Sequence, residues 1–373
     1  MKKALFLSLI LCFIAGSALA AGTVRIGLMC PLTGAYASEG QDMDNIVKLL
    51  ADEVNATGGV LGKTVEIVTE DDGSDARNAS MAAQRLTTRG IVAVIGTYGS
   101  ANTEVTQNIY DESKIPQIAT GSTSVRLSEK GLKYFLRTCP RDDSQGEVAF
   151  RSLVKLGYKR IAILHDNSSY AKGLADETVA PLKKSGTQIV FFGALTPKEN
   201  DYSTTLTKMK ATNPDVVFFT GYYGEAGLLL RQKMEMNWDV PFFGGDATNN
   251  NDLIKIAGNE AAAGFSCLSP PLPQDLISKQ AKEFMSKYQA KYGTIPASIW
   301  SVLAGDAFKA IVAAIEGAKS TDPDKMVAFL KNDMKDFAGL TGSIAFNDKG
   351  DRVGDVYRTY IVDGGGNFVL QPQ

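Results

Sequence analysis

Short apolar runs that end at glycine- and hydroxyl-rich turns alternate along this chain with segments whose apolar residues recur every three to four positions. Residues 23–29 (T-V-R-I-G-L-M) read as a strand, and 41–54 place Met43, Ile46, Val47, Leu50 and Val54 on one helical face. Gly58 and Gly59 stop that helix. Residues 64–69 are the next strand and 76–88 the next helix, capped by Ser74 or Asp75. A buried strand opens at Ile91 and stops at the turn T-Y-G-S-A-N-T of 97–103, followed by a helical pattern over 104–112. Residues 115–123 repeat the design, ending in Gly121, Ser122 and Thr123 before a helical 125–130. This alternation predicts a parallel sheet covered by helices on both faces.

The rhythm then restarts with other strands. Residues 160–164, 188–193 and 216–220 are strands, each followed by a helix over 170–185, 202–211 and 225–236, and 241–243 is a short strand ending at Gly244-Gly245-Asp246. Residues 264–268 lead into helical stretches over 279–292, 299–319 and 323–332; strands are expected at 344–346, 356–362 and 367–370. The expected fold is α/β, two doubly wound Rossmann-like lobes. No low-complexity linker separates them, so short crossings make a hinge rather than a flexible tether.

The two neighbouring turns define a candidate site. Free N–H groups and helix dipoles at two adjacent helix N-termini attract an anion, and Ser100 and Thr123 can serve there as caps or as ligand donors.

Composition narrows the function. Residues 1–20 combine Lys2 and Lys3, an apolar run and Ala18-Leu19-Ala20, the layout of a cleavable secretory signal. Leu11 precedes Cys12 where a lipoprotein signal needs a small residue, which disfavours a lipid anchor. Removal of the signal leaves 353 residues, more than the ~250–300 at which one core stops growing. They carry 37 basic and 41 acidic side chains, a net charge of −4 that suggests neither nucleic acid nor an anionic membrane as partner. No later stretch reaches the ~18 apolar residues needed to cross a bilayer. An exported, soluble periplasmic protein is expected.

Several chemical signals fail on context. T-G-G-V-L-G-K-T at 57–64 is one residue from a phosphate-binding loop, but a helix precedes it and a strand follows, the reverse of what that loop needs. His165 is the only histidine, which removes zinc sites built on several imidazoles. Glu70, Asp71, Asp72 and Asp75 lack the ligand pattern of a calcium loop, and no serine sits in a nucleophile elbow. No metal, cofactor or catalytic residue is expected.

The chain resembles the type I periplasmic solute-binding proteins of ABC transporters, and within them the leucine/isoleucine/valine-binding branch. The likeness runs through G-L-M-C-P-L-T-G at 27–34, E-V-N-A-T-G-G-V-L-G-K at 53–63, E-D-D-G-S-D at 70–75, L-H-D-N-S-S-Y-A-K-G at 164–173, D-Y-S-T at 201–204 and G-Y-Y-G-E at 221–225. It implies a signal peptide at 1–20, one lobe from 21–139 and 268–350, and a second from 140–267 and 351–373, joined by a multi-strand hinge. It also implies that Ser100 and Thr123 receive an amino acid's α-carboxylate, and that the Gly121 carbonyl and the Thr123 hydroxyl accept from its ammonium, with Ser122 in the same turn. Asp246 then stands where the family places an acidic partner for the ammonium, and Tyr170 and Tyr222 where it places closing aromatics. The implied partners are an amino-acid ligand and the ABC permease subunits of the inner membrane, with the binding protein monomeric.

The departures are equally informative. The branch has a disulfide between the strand end near Ser74 and the turn near Gly99, and neither position is cysteine here. Cys30, Cys139 and Cys267 read as buried apolar side chains, with a Cys139–Cys267 bridge as the alternative because both fall near the implied crossings. Glu39, Tyr98 and Ser298, with Tyr36 and Trp300 nearby, occupy the positions that surround an aliphatic side chain in the branch. A carboxylate in an apolar pocket costs several kcal/mol unless paired. Either Glu39 turns to solvent or the ligand is polar or cationic. Two alternatives stay open: a binding protein or sensor for another small carboxylate, such as an amide or aromatic acid, and a secreted hydrolase.

Overall fold

The computed structural model describes residues 22–354 and 357–371. The expected signal segment 1–20 and the first residue of the strand expected at 356–362 lie outside them.

Two sheets organise the molecule. The first is built from β1 (Thr23–Cys30), β2 (Thr64–Asp71), β3 (Ile91–Ile95), β4 (Gln117–Ala119) and β5 (Phe135–Arg137), with helices α1 (Ala37–Ala56), α2 (Ala76–Thr87), α3 (Ser100–Glu112) and α4 (Arg126–Glu129) between them. Its strand order is β2-β1-β3-β4-β5, all parallel. Helix α5 (Asp142–Lys155) carries the chain to the second sheet, which begins β6 (Arg160–His165), α6 (Ser169–Lys184), β7 (Gln188–Ala194), α7 (Ser203–Lys210), β8 (Val216–Phe219), α8 (Tyr223–Glu235) and β9 (Phe242–Gly244). Short helices α9 (Asp252–Ala257) and α10 (Asn259–Ala262) precede β10 (Ser266–Ser269).

The chain then returns to the first sheet, where α12 (Ile299–Ala318), following α11 (Lys279–Tyr292), packs along α1. After α13 (Pro323–Ala328) and the hairpin β11 (Phe337–Gly339) and β12 (Gly342–Ile344), it ends on β13 (Arg358–Val362) and β14 (Phe368–Leu370), antiparallel additions to the second sheet. That sheet reads β14-β13-β10-β9-β8-β6-β7.

Both sheets therefore wind in the same sense. The order 2-1-3-4-5 recurs as β7-β6-β8-β9-β10, and each sheet reverses direction beside its first strand. In open α/β sheets the crevice at that reversal, beyond the carboxyl ends of the strands, is where ligands bind. The loops after β3, β4, β6, β8 and β9 are thus the ones to inspect.

The structure corrects several sequence expectations. Strand β5 and helix α5 were not foreseen, because β5 has three residues and α5 is mostly polar, with an apolar face too sparse to read. Helix α1 starts at Ala37 rather than Gln41, which brings Glu39 into a helix. Helix α3 starts at Ser100, with Gly99 as its N-cap, and Thr123 is not a cap because α4 begins only at Arg126. Of the strand expected at 344–346 only Ile344 lies in a strand, as the last residue of β12, and Phe346 forms an isolated bridge with Arg352. Among the described residues Cys30, Cys139 and Cys267 are buried and unbridged. Cys139 belongs to the apolar cluster that runs through both lobes and Cys267 to a separate cluster of the second, and burial pushes both thiols up to about 12.

One ion pair ties β5 to the segment that leads back toward β13. Arg137 is fully buried; its Nε donates to Asp351 Oδ1 at 2.6 Å, and its two amino groups donate to the Ser122 and Ser124 carbonyls at 2.9 Å and to Ser128 Oγ at 2.6 Å. The guanidinium thereby fixes the turn after β4 from below. Breaking a buried pair by removing one partner costs ~3–5 kcal/mol when the other charge is left unpaired; Arg141, 2.9 Å from Asp351 Oδ2, still compensates that carboxylate, so the low end of that range applies here. Arg137→Met should lower the unfolding free energy by about that amount in urea titrations, and adding Asp351→Asn should recover part of the loss.

Candidate functional site

The turns after β3 and β4 are laced together by hydroxyls. Thr97 Oγ1 and Thr103 Oγ1 lie 2.8 Å apart, Thr103 Oγ1 and Ser122 Oγ also 2.8 Å, and Ser122 Oγ donates to the Tyr98 carbonyl at 3.2 Å. Ser100 Oγ accepts from the Ser124 N–H at 3.2 Å. Ser122 and Ser100 therefore hold the two turns in register, and Ser100 heads α3, whose first N–H groups lack intrahelical acceptors. Gly121 is required here: a Cβ would meet the Tyr98 ring at 2.6 Å and its carbonyl at 2.8 Å. Thr123 Oγ1 is buried and makes no hydrogen bond of good geometry.

Across the cleft, Asp246 follows β9 and is 1 % exposed. Its oxygens accept from Tyr170 Oη at 2.9 Å and Tyr357 Oη at 2.8 Å, and its N–H donates to Gln145 Oε1 at 2.9 Å. Gly245 makes this possible, since a Cβ there would lie 2.6 Å from Tyr170 Oη. Burial raises the Asp246 carboxyl to about 6 against those tyrosine donors. A second carboxyl, Asp142, is fully buried at the start of α5; burial and the charge of Asp246 push it well above the ordinary range. The Thr123 hydroxyl and Arg137 draw it partly back down. Even so, Asp142 Oδ2 makes no hydrogen bond of good geometry. Orphaned buried polar atoms are rare in native proteins. Here the Thr123 hydroxyl and the Asp142 carboxyl face each other, close enough for the hydroxyl to stabilise the carboxylate, with neither atom in a hydrogen bond of good geometry.

Glu39 does not turn to solvent. It is fully buried, with Oε1 accepting from Asn250 Nδ2 and Oε2 from Ser298 Oγ, both at 2.6 Å. Ser298 caps α12 through the Trp300 N–H. Burial lifts Glu39 from 4.5 to about 7 despite these bonds, with Asp42 and Asp252 adding to the rise. The Asn250 bond also joins the two lobes, since Asn250 follows β9 and Glu39 lies on α1.

Aromatic rings fill the space between these polar groups. Tyr36 stacks on Tyr222 at 4.4 Å between centroids, Tyr170 meets Tyr222 at 5.3 Å, and Tyr98 sits 6.0 Å from Tyr222 and 6.4 Å from Trp300. Tyr223 Oη donates to the Ala35 carbonyl at 3.1 Å, and Ser169 Oγ donates to Glu104 at 2.8 Å. The lobes are thus in contact across the cleft. An opening of ≈ 180 Å³ remains, lined by Tyr36, Asp72, Tyr98, Asn102, Asp166 and Tyr222 among others.

A model of the family described as periplasmic binding protein matches residues 23–367. The chain belongs to that family. It is 32 % identical over 348 residues to the Leu/Ile/Val-binding protein BraC3 of Rhizobium johnstonii, covering 93 % of this chain and 94 % of that one. It is 30 % identical to a leucine-, isoleucine-, valine-, threonine- and alanine-binding protein of Pseudomonas aeruginosa, covering 93 % and 92 %. Among solved structures, the leucine binding protein LivK of Thermotoga maritima superposes with a TM-score of 0.86 at 28 % identity, over 94 % of this chain and 98 % of that one. The branched-chain amino acid transporter substrate binding protein LivJ of Streptococcus pneumoniae, in complex with isoleucine, gives 0.84 at 29 %, over 94 % and 100 %. The two-lobed α/β fold expected from the sequence is the fold of these proteins.

In this periplasmic binding protein the ten residues singled out from sequence lie on strand-end turns and helix starts of the two lobes, and Tyr98 and Tyr222 among them line the opening. Four further residues meet members of this set unannounced: Asp142, Gln145, Asn250 and Tyr357. Asp142 read as an ordinary acidic residue in a polar stretch, and Tyr357 lies more than a hundred residues from Asp246 in the chain, so no local pattern links them. His165 stays apart, its Nδ1 accepting from the Asn167 N–H at 3.0 Å. Among the described residues no group of three or more His, Cys, Asp or Glu could hold a metal ion.

The titration of Glu39 gives a stability test. Unfolded glutamate titrates near 4.5 and the folded carboxyl at about 7, so the folded state binds this proton more tightly. Its stabilising contribution is full below 4.5 and is lost as pH rises through about 7. Glu39→Gln keeps the neutral hydrogen-bonding partners. The ligand-free variant should lose less melting temperature than the parent between about pH 5 and pH 8, read by calorimetry; parallel curves would show that Glu39 is not buried as described.

Proposed function

We propose that this chain is the periplasmic component of an ABC transporter that captures an α-amino acid by closing its two lobes on it and delivers it to the membrane permease. The observation that carries this reading is the pairing, in one buried crevice, of an anion grip with a carboxyl pair. The helix N-terminus at Ser100 and the open Thr123 hydroxyl suit a carboxylate, while Asp246 and Asp142 lie among neutral donors, with Arg137 committed to Asp351. A zwitterion completes both ends at once, and charge-assisted hydrogen bonds are roughly twice as strong as neutral ones.

Closure follows from where these groups sit. The carboxylate grip belongs to the first sheet and Asp246 to the second, so the ligand stabilises only the closed arrangement. We assign the moving lobes to residues 21–139 with 268–350 and to 140–267 with 351–373, hinged at the crossings near Arg137 and Asp351. The ligand-binding set is Glu39, Tyr98, Ser100, Gly121, Ser122, Thr123, Tyr170, Tyr222, Asp246 and Ser298, to which Asp142 and Asn250 are added. Binding rather than catalysis is favoured because the buried cysteine thiols are held far from ionisation and His165 lies outside the crevice. The relatives named for leucine, isoleucine and valine support the amino-acid class.

Asp246→Asn removes the charge while keeping the tyrosine contacts. It should weaken amino-acid binding at least tenfold, about 1.4 kcal/mol, in isothermal titration. Unchanged affinity would remove Asp246 from the ammonium site. An N-acetylated ligand should also lose affinity; equal binding would favour the reading of a receptor for other small carboxylates.

A further inference from the structure

This inference rests on the amino-acid reading above and concerns the ligand's side chain. Three polar ends share the aromatic-walled neighbourhood around Tyr98. Glu39 is buried, with Asn250 and Ser298 as its bonded partners. Tyr98 Oη and Trp300 Nε1 are buried and form no hydrogen bond at all. The Tyr98 and Trp300 rings meet edge to face at 6.4 Å, and the charge of Glu39 acts on the Tyr98 hydroxyl, which places the three together.

The hydrogen-bonding capacities differ in kind. An indole N–H only donates, a phenol donates or accepts, and each carboxylate oxygen accepts more than one bond. A branched aliphatic side chain would leave the Trp300 and Tyr98 donors orphaned, and each such group costs its desolvation. A cationic side chain would answer Glu39 and leave the indole without an acceptor. A carboxamide answers all three: its carbonyl oxygen accepts from the indole and the phenol, and its amino group donates to Glu39.

We propose that the preferred ligand is an α-amino acid whose side chain ends in a carboxamide, selected over branched aliphatic side chains by Glu39, Tyr98 and Trp300. In these terms the departures from the branched-chain pattern form one coordinated change, in which a buried acceptor and two buried donors together replace an apolar lining.

Isothermal titration of the full processed chain with L-glutamine, L-asparagine, L-leucine, L-isoleucine, L-valine, L-lysine and L-arginine tests this. A carboxamide amino acid should bind about tenfold or more tighter than any aliphatic one. Tighter binding of leucine, isoleucine or valine would overturn the inference and leave the transport reading standing. Preference for lysine or arginine would also overturn it, with Glu39 then acting as a counter-ion. Failure of every amino acid to bind would remove the proposed function and this inference together. Tyr98→Phe deletes a hydroxyl that bonds nothing in the free protein, so the variant should fold normally by circular dichroism and thermal melting. It should lose about tenfold in carboxamide affinity, more than it loses for leucine, and Trp300→Phe should behave alike. Equal losses for both ligands, or none, would show that these donors do not read the side chain.

Discussion

The cost of burying negative charge between two sheets governs this structure. Asp246, Asp142 and Glu39 are all withdrawn from water, and each carboxyl is raised because burial outweighs its local hydrogen bonds. Tyrosine, glutamine, asparagine and serine donors hold them in place. Among the described residues no lysine or arginine is bonded to any of the three. The arrangement is tolerable in the free protein and becomes favourable when a cationic group enters the crevice, which is how a binding protein couples capture to closure.

Rigid support makes that economy useful. The hydroxyl chain Thr97–Thr103–Ser122 and the Arg137 guanidinium hold the turns after β3 and β4, so the anion grip is formed before any ligand arrives. Preorganisation of this kind avoids an ordering cost at binding. The second lobe contributes Asp246 through a glycine-lined approach that only Gly245 permits. In the proposed reading, recognition of the ligand's backbone and of its side chain are separated in space, the first at Ser100, Thr123 and Asp246, the second at Glu39, Tyr98 and Trp300.

Family membership explains the architecture and leaves chemistry to particular positions. Related proteins named for branched-chain amino acids share the fold at about 30 % identity. In the proposed reading the crevice of this chain offers partners for both ends of a zwitterion and differs from the branched-chain pattern around the side chain. Fold and site are thus under different constraints: winding order sets where a ligand binds, and a handful of side chains set which one.

Periodicity and strand-end chemistry were enough to read two wound α/β lobes and to pick out Ser100 and Thr123 from the chain, while Asp246 was singled out through the family resemblance. Local pattern carries that information because a buried parallel strand and an amphipathic helix each repeat at their own period. Short β5 and mostly polar α5 escaped, since three residues hold no period and α5 lacks a continuous apolar stripe. Whether Glu39 faces water, whether Cys139 meets Cys267, and that Asp142, Gln145, Asn250 and Tyr357 join the crevice were decided only by the packing of the lobes. Those outcomes depend on which side chains from remote segments share a desolvated space, and no spacing along the chain encodes that distance.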